Sequence, residues 1–190
     1  MGKRSQFAKN KHDKYYTPYL PILPLVPHLP TTPFTYAEPC AGDGSLINHL
    51  TKIKPNAKCL IKCDIEPDRE DIIKESAFNI DYTSVDMIIT NPPWTRDILH
   101  DLIIYLSNQK PTWLLFDHDW IQTEQSIPYM DRCTDIVPIG RVKWFANTKK
   151  QSKDSCSWYR FTKDNSDHKG SDRNLTTRIH KRMVNKTLIK

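Results

Sequence analysis

Four short apolar runs between residues 34 and 116, each closed by a turn or a polar stretch, restrict this chain to few architectures. Phe34-Thr35-Tyr36-Ala37-Glu38, Lys58 to Asp64, Val85 to Thr90 and Pro111 to Phe116 all have strand character. Ser45 to about Lys52 reads as a helix. So does Pro67 to Ser76, which opens on Pro and acidic residues suited to a helix N-terminus. Arg96 to Leu106 sets Ile98, Leu99, Leu102, Ile103 and Leu106 at helical spacing. Strands alternating with helices imply an α/β fold, a parallel sheet with helices on both faces. Ile80-Asp81-Tyr82 is expected as a short extra strand. Gly140 to Phe145 and Ser155 to Thr162 are expected as a hairpin around the polar loop 146–154.

The chain of 190 residues fits one domain of ordinary size, expected over residues 15–162. Residues 1–14 are basic and lack an amphipathic period, which reads as a flexible arm; 163–190 read as a basic tail. From Pro18 to Pro39 the recurring prolines forbid a long helix but permit short apolar turns packed on a core. A net charge of +6 favours a polyanionic partner. Five cysteines with no Cys-x-x-Cys pair, and no signal-like start, point to a reducing, cytoplasmic setting. Cys59 and Cys63 lie in an apolar run where Cys acts as a small hydrophobe. No second pair completes the four ligands of a structural zinc, so no metal is expected. No run approaches the roughly 20 apolar residues that span a bilayer, so no membrane partner is expected.

In an open α/β sheet the ligand crevice lies beyond the carboxyl ends of the strands. Glu38-Pro39-Cys40-Ala41-Gly42-Asp43-Gly44 follows the first strand there, and its small residues let backbone approach a ligand ahead of a helix N-terminus. Alone, the Gly42-Asp43-Gly44 turn fits a plain strand-to-helix connection equally well. Asp64 ends the second strand roughly twenty residues later, the spacing at which an acid receives ribose hydroxyls in dinucleotide folds. Asn91-Pro92-Pro93-Trp94 comes straight after an apolar strand, where two prolines stiffen the turn and remove two donors. The Asn91 carboxamide and the Pro92 carbonyl suit both hydrogens of an amino group, and Trp94 offers a stacking face. On its own the tetrapeptide fits a stiffened loop with a core Trp as readily.

Taken in order, these segments resemble the S-adenosylmethionine-dependent amino-methyltransferases, and most closely the DNA adenine-N6 methyltransferases whose cofactor motif precedes the catalytic one. The resemblance spans roughly Tyr15 to Phe161 and implies a Rossmann-like class I methyltransferase fold, a mostly parallel seven-stranded sheet with a late antiparallel hairpin. It assigns Tyr16-Thr17-Pro18 to the element closing over the cofactor's methionine end, and Glu38 to Gly44, with Pro39, Cys40, Ala41 and Gly42, to the cofactor loop. Asp64 matches the ribose acid, with Ile65 beside the adenine. Asp81, followed by Tyr82, matches the acceptor for the adenine amino group. Asn91, Pro92, Pro93 and Trp94 match the catalytic motif. The hairpin from Arg141 to Phe161 resembles the pair that supports the target base, Trp144 or Phe145 giving a second stacking surface.

The implied activity is methyl transfer from S-adenosylmethionine to adenine N6 in DNA, in a small form that would suit a virus or mobile element. An RNA base amino group, a protein glutamine amide, or a binding module without turnover are the alternatives. Family members with strict site specificity usually carry a separate recognition region, and here only a short tail follows the last expected strand. Lys149, Lys150 and Lys153 at the hairpin tip fit phosphate contacts and simple solubility equally. Asp117-His118-Asp119 reads as loop polars or substrate contacts, because methyl transfer from a sulfonium needs no metal. His49 reads as a surface histidine.

Overall fold

Side chains along the strands alternate between two apolar clusters, and that alternation explains why the runs look apolar throughout rather than every second residue. The computed structural model describes residues 15–144 and 154–163. The arm expected over 1–14, most of the loop 146–154 and nearly all of the tail expected over 163–190 lie outside the described residues. Seven strands form one sheet: β1 (Phe34–Glu38), β2 (Ala57–Asp64), β3 (Ile73–Lys74), β4 (Met87–Thr90), β5 (Thr112–Asp117), β6 (Cys133–Arg141) and β7 (Ser155–Phe161). Their order is β3-β2-β1-β4-β5-β7-β6. The first five run parallel, and β7 enters antiparallel between β5 and β6. This is the Rossmann-like arrangement implied above.

Phe34 and Tyr36 of β1, Ile89 of β4, Trp113 and Leu115 of β5 and Trp158 of β7 face one cluster. Leu46 and Leu50 of helix α1 (Ser45–Ile53) complete it, with Ile22 and Leu25 of a 3-10 segment (Leu20–His28). Ala37, Ile88, Leu114, Phe116, Tyr159 and Phe161 face the other way, onto Leu99, Leu102, Ile103 and Leu106 of helix α2 (Arg96–Gln109). Helices therefore cover both faces. The proline-rich entry is fixed by a bond from Trp158 Nε1 to the Pro21 carbonyl, 2.8 Å. Truncating one α2 contact, as in Leu102→Ala, removes apolar burial and leaves a cavity, a loss of about 2–5 kcal/mol.

Three expected elements differ from what forms. Residues 67–76 make no helix: Asp68 N–H donates to the Gly42 carbonyl at 3.0 Å, and Arg69 bonds Asp71 and Asn48. Tertiary partners hold this segment as turns leading into the two-residue edge strand β3. Ile80 to Tyr82 is no strand; Tyr82 is buried and its hydroxyl donates to the Ala77 carbonyl at 2.7 Å, closing a short 3-10 turn, Ala77–Asn79. The hairpin is present, but its first strand is Cys133–Arg141 rather than 140–145. Pro138 and Gly140 sit in it because β6 is an edge strand whose register shifts around them, the two settings in which a sheet accepts such residues. Two further 3-10 turns, His118–Gln122 and Glu124–Tyr129, connect β5 to β6. Among the described residues no helix is long and apolar enough to cross a membrane.

Candidate active site

Strand order reverses between β1 and β4, so the loops leaving their carboxyl ends part and leave a crevice. It holds about 320 Å³. Its walls come from the segment after β1, the end of β2, the turn after β3, the loop after β4 and the entry segment Tyr15 to Thr17.

The loop after β1 is held by backbone bonds. Ala41 N–H donates to the Cys63 carbonyl at 3.0 Å, and Gly44 N–H to the Ala41 carbonyl at 2.7 Å. Gly44 takes a φ of 74°, a conformation that disfavours any side chain, as it enters α1. Asp43 accepts from Ser45 N–H at 2.9 Å and from Ser45 Oγ at 2.7 Å, an Asx-type turn that leads into the helix. Asp64 closes β2 and reaches across the crevice floor, its Oδ2 accepting from Gly42 N–H at 2.8 Å and its Oδ1 from Glu66 N–H at 2.8 Å. The carboxylate thus fixes the turn while lining the crevice.

Glu38 is buried at the crevice floor. One of its oxygens, Oε2, has no hydrogen-bond partner among the described residues. Burial, with the charges of Asp43 and Asp64 behind it, raises its carboxyl pKa well above the ordinary value of 4.5, and the Ile47 amide partly offsets this. Burial therefore favours the protonated form, and a cation placed against Oε2 would favour the carboxylate. Cys40 lines the same floor, and burial followed by the Asp64 charge pushes its thiol far above the ordinary range. It is an unreactive wall.

The entry segment crosses the crevice and touches both sides. Tyr16 donates from its hydroxyl to Asp68 Oδ2 at 2.6 Å, and that bond, then burial, pushes its pKa up to about 12. The hydroxyl stays a donor at any working pH. The Tyr15 carbonyl accepts from Asn91 Nδ2 at 2.9 Å.

On the β4 side, Asn91 Oδ1 accepts from Trp94 Nε1 at 3.3 Å, and the same N–H reaches the Leu115 carbonyl at 3.2 Å. Trp94 packs against both apolar clusters and meets Trp144 edge-on at 5.7 Å between ring centroids; Trp144 lies 5.9 Å from Tyr15. Three aromatic rings therefore gather beside Asn91. One turn on, Arg96 pairs with Asp117 at 2.7 Å, joining α2 to the end of β5.

Of the residues expected from sequence, Tyr16, Thr17, Glu38, Pro39, Cys40, Ala41, Gly42, Asp64, Ile65, Asn91 and Pro93 line one crevice. Pro18, Gly44, Pro92 and Trp94 sit beside it without lining it. Trp144 stands next to Trp94; Phe145, Lys149 and Lys150 lie outside the described residues. Asp81 does not reach the crevice. Its exposed carboxylate accepts from Thr83 N–H at 2.9 Å and Thr83 Oγ1 at 3.0 Å, an Asx turn that also holds its pKa low. Tyr82 supports the wall only from behind, through Ala77. The wall itself is Ser76, Ala77 and Phe78, which the sequence reading missed, as it missed Tyr15 and Ile98. The available signal was Ser76, whose side chain accepts from Phe78 N–H at the start of the turn. His118 contacts Ser157 Oγ at 2.7 Å, which places it beside β7.

No family model matches the sequence, and no curated protein matches it. Solved structures do. A dimethyladenosine transferase from Plasmodium falciparum superposes with a TM-score of 0.52 at 14% identity, over 78% of this chain and 62% of that one. The chain thus spans less than two thirds of that protein. A protein from Pyrococcus horikoshii, named as a candidate RNA methyltransferase, superposes with a TM-score of 0.50 at 13% identity, over 85% of this chain and 93% of that one. The likeness is one of fold.

Proposed function

We propose that the protein transfers a methyl group from S-adenosylmethionine to the N6 amino group of adenine in DNA. The observation that carries this reading is the Asn91 carboxamide, held at both ends beside a crevice whose floor presents a buried carboxylate oxygen without a partner among the described residues. That oxygen, Glu38 Oε2, suits the ammonium of an amino-acid-bearing cofactor, Asp64 suits ribose hydroxyls, and Ile65 with Ala77 and Phe78 offers apolar faces for an adenine ring. Bound S-adenosylmethionine supplies an electrophilic methyl group. Asn91 Oδ1 and the Pro92 carbonyl accept the two hydrogens of the target amino group, which turns the nitrogen lone pair toward the crevice. Both acceptors also disperse the positive charge that grows on nitrogen during transfer, where fixed dipoles are most effective. The aromatic cluster of Tyr15, Trp94 and Trp144 provides the surface on which an unstacked base rests. The surplus of Lys and Arg falls in residues 1–14, 145–153 and 164–190, which hold 15 of them against 4 Asp and Glu, and this supports a polyanionic substrate.

Methylation of an adenine in RNA is the second reading, favoured by the names of the two superposable proteins, one a candidate RNA methyltransferase and the other a dimethyladenosine transferase. Incubation of the purified protein with methyl-labelled cofactor and a mixed pool of DNA and RNA, followed by nucleoside analysis, tests both. Label on N6-methyladenine from DNA is expected. Label confined to ribonucleosides moves the substrate to RNA, and no label in either at low salt defeats the proposal.

A further inference from the structure

We infer that Trp94 is a positioning residue: its indole N–H and the Tyr15 carbonyl together lock the Asn91 carboxamide in one flip state, which decides that the site takes amino groups rather than carbonyl oxygens. The inference rests on the methyl-transfer reading above. A carboxamide has two ends of nearly equal shape and opposite polarity, so an unsupported Asn is free to present either. Here each end meets a partner with a single polarity. The Tyr15 carbonyl only accepts, and it receives Nδ2 at 2.9 Å; the Trp94 indole only donates, and it lies 3.3 Å from Oδ1. Turning the amide over sets two acceptors against each other at one end and two N–H groups at the other. Neither contact survives a flip.

The lock has a rigid base. Trp94 Nε1 is shared with the Leu115 carbonyl at 3.2 Å, so the indole is tied to β5 in the sheet as well as to its own loop. Trp94 also packs against both core clusters and against Trp144. On the other side, Tyr15 precedes the Tyr16 hydroxyl bond to Asp68 by one residue. With Oδ1 held in this state, its second lone pair remains for a substrate donor. A flipped Asn91 would offer N–H instead and favour a carbonyl. Phenylalanine at position 94 keeps a ring face but has no N–H at that place. Stacking and locking are therefore separable functions of one side chain.

Two measurements test this, and only one depends on turnover. In ¹⁵N-labelled protein the Trp94 indole signal, one of five Trp signals, is compared between wild type and Asn91→Ala. The indole proton is expected to move upfield and to exchange faster with water in the variant; an unchanged signal overturns the lock. In steady-state methylation of the pooled DNA, Trp94→Phe is expected to lower kcat about fivefold to tenfold, the effect of one lost hydrogen bond on an aligned reaction. KM for DNA and cofactor affinity should stay within about twofold. A wild-type kcat in Trp94→Phe, or a loss confined to KM, overturns the inference. Wild-type protein inactive on every nucleic acid defeats the methyl-transfer reading instead, and the indole signal then decides the lock by itself.

Discussion

On the β1–β2 side of the crevice, backbone groups carry the geometry: Gly42 N–H on Asp64, Ala41 N–H on the Cys63 carbonyl and Asp68 N–H on the Gly42 carbonyl tie two loops into one unit. On the β4 side the same work falls to side chains, with Asn91 suspended between Tyr15 and Trp94, and Trp94 leaning on Trp144. A wall made of backbone bonds tolerates most substitutions and responds mainly where a charge is removed. A wall made of side chains changes its chemistry with each residue. If the first wall holds a cofactor and the second aligns a target, substitutions on one side should alter cofactor affinity at constant target KM. Those on the other should do the reverse.

Asn91→Ala should separate the two sides most sharply. It removes an acceptor that works hardest as charge develops on the amino nitrogen, so kcat should fall about 10²–10³-fold. Cofactor affinity by calorimetry should not change. A variant with near-normal kcat would mean that the β4 side does not perform the chemistry. Glu38→Gln tests the opposite wall and should weaken cofactor binding about tenfold to hundredfold, the loss of a charge-assisted bond, with target KM constant.

The pH dependence sharpens the Glu38 test. Burial raises the folded pKa of Glu38 above its ordinary value of 4.5, so folding favours the protonated form. The stability this group allows is fully present below 4.5 and declines as pH rises toward its folded pKa. Cofactor affinity should move the other way, growing over that window as the carboxylate ionises to meet a cation. Glu38→Gln should flatten both trends. An affinity in wild type that does not vary with pH would remove Glu38 from the cofactor side.

Smaller effects are expected from the residues that shape the two walls. Trp144→Ala removes one ring of the aromatic cluster and should raise KM for nucleic acid about fivefold, with cofactor affinity steady. Tyr16→Phe removes the hydroxyl bond to Asp68 and should speed cofactor release about twofold to fivefold, read by stopped-flow fluorescence. Tyr16 belongs to a segment that touches both walls, so a parallel change in target KM would show that the two sides are coupled through Tyr15.

Much of the first wall was legible in the sequence because its elements are local. A strand, a Gly-containing turn and a helix follow one another over residues 34–53, and an acid ends the next strand. Asn91 to Trp94 was legible for the same reason, being one contiguous turn after one strand. What escaped depends on partners far away in the chain. The segment 67–76 has helix-like punctuation, yet Gly42 and Asn48 claim its polar groups. The start of β6 was not legible because Pro138 argues against a strand unless the strand is known to lie at a sheet edge. The link from Tyr15 to Asn91 joins residues 76 apart and uses a backbone carbonyl, which no residue type announces.

Asp81 gives the smallest expected effect and a direct test of which residues form the adenine wall. The family resemblance matches it to the acceptor for an adenine amino group, but its carboxylate is spent on Thr83, on the solvent side of the turn. Asp81→Ala should therefore leave cofactor affinity within about twofold of wild type, as is usual for a surface site away from a ligand. Ser76→Ala should do more, because Ser76 lines the crevice and its hydroxyl receives Phe78 N–H at the start of the Ala77–Asn79 turn. Losing that cap loosens Ala77 and Phe78 together, and cofactor affinity should drop a few-fold without any change in target KM. The reverse ranking, with Asp81→Ala the more damaging, would require the 81–83 turn to refold over the crevice when cofactor binds. The first wall would then be no more preformed than the second.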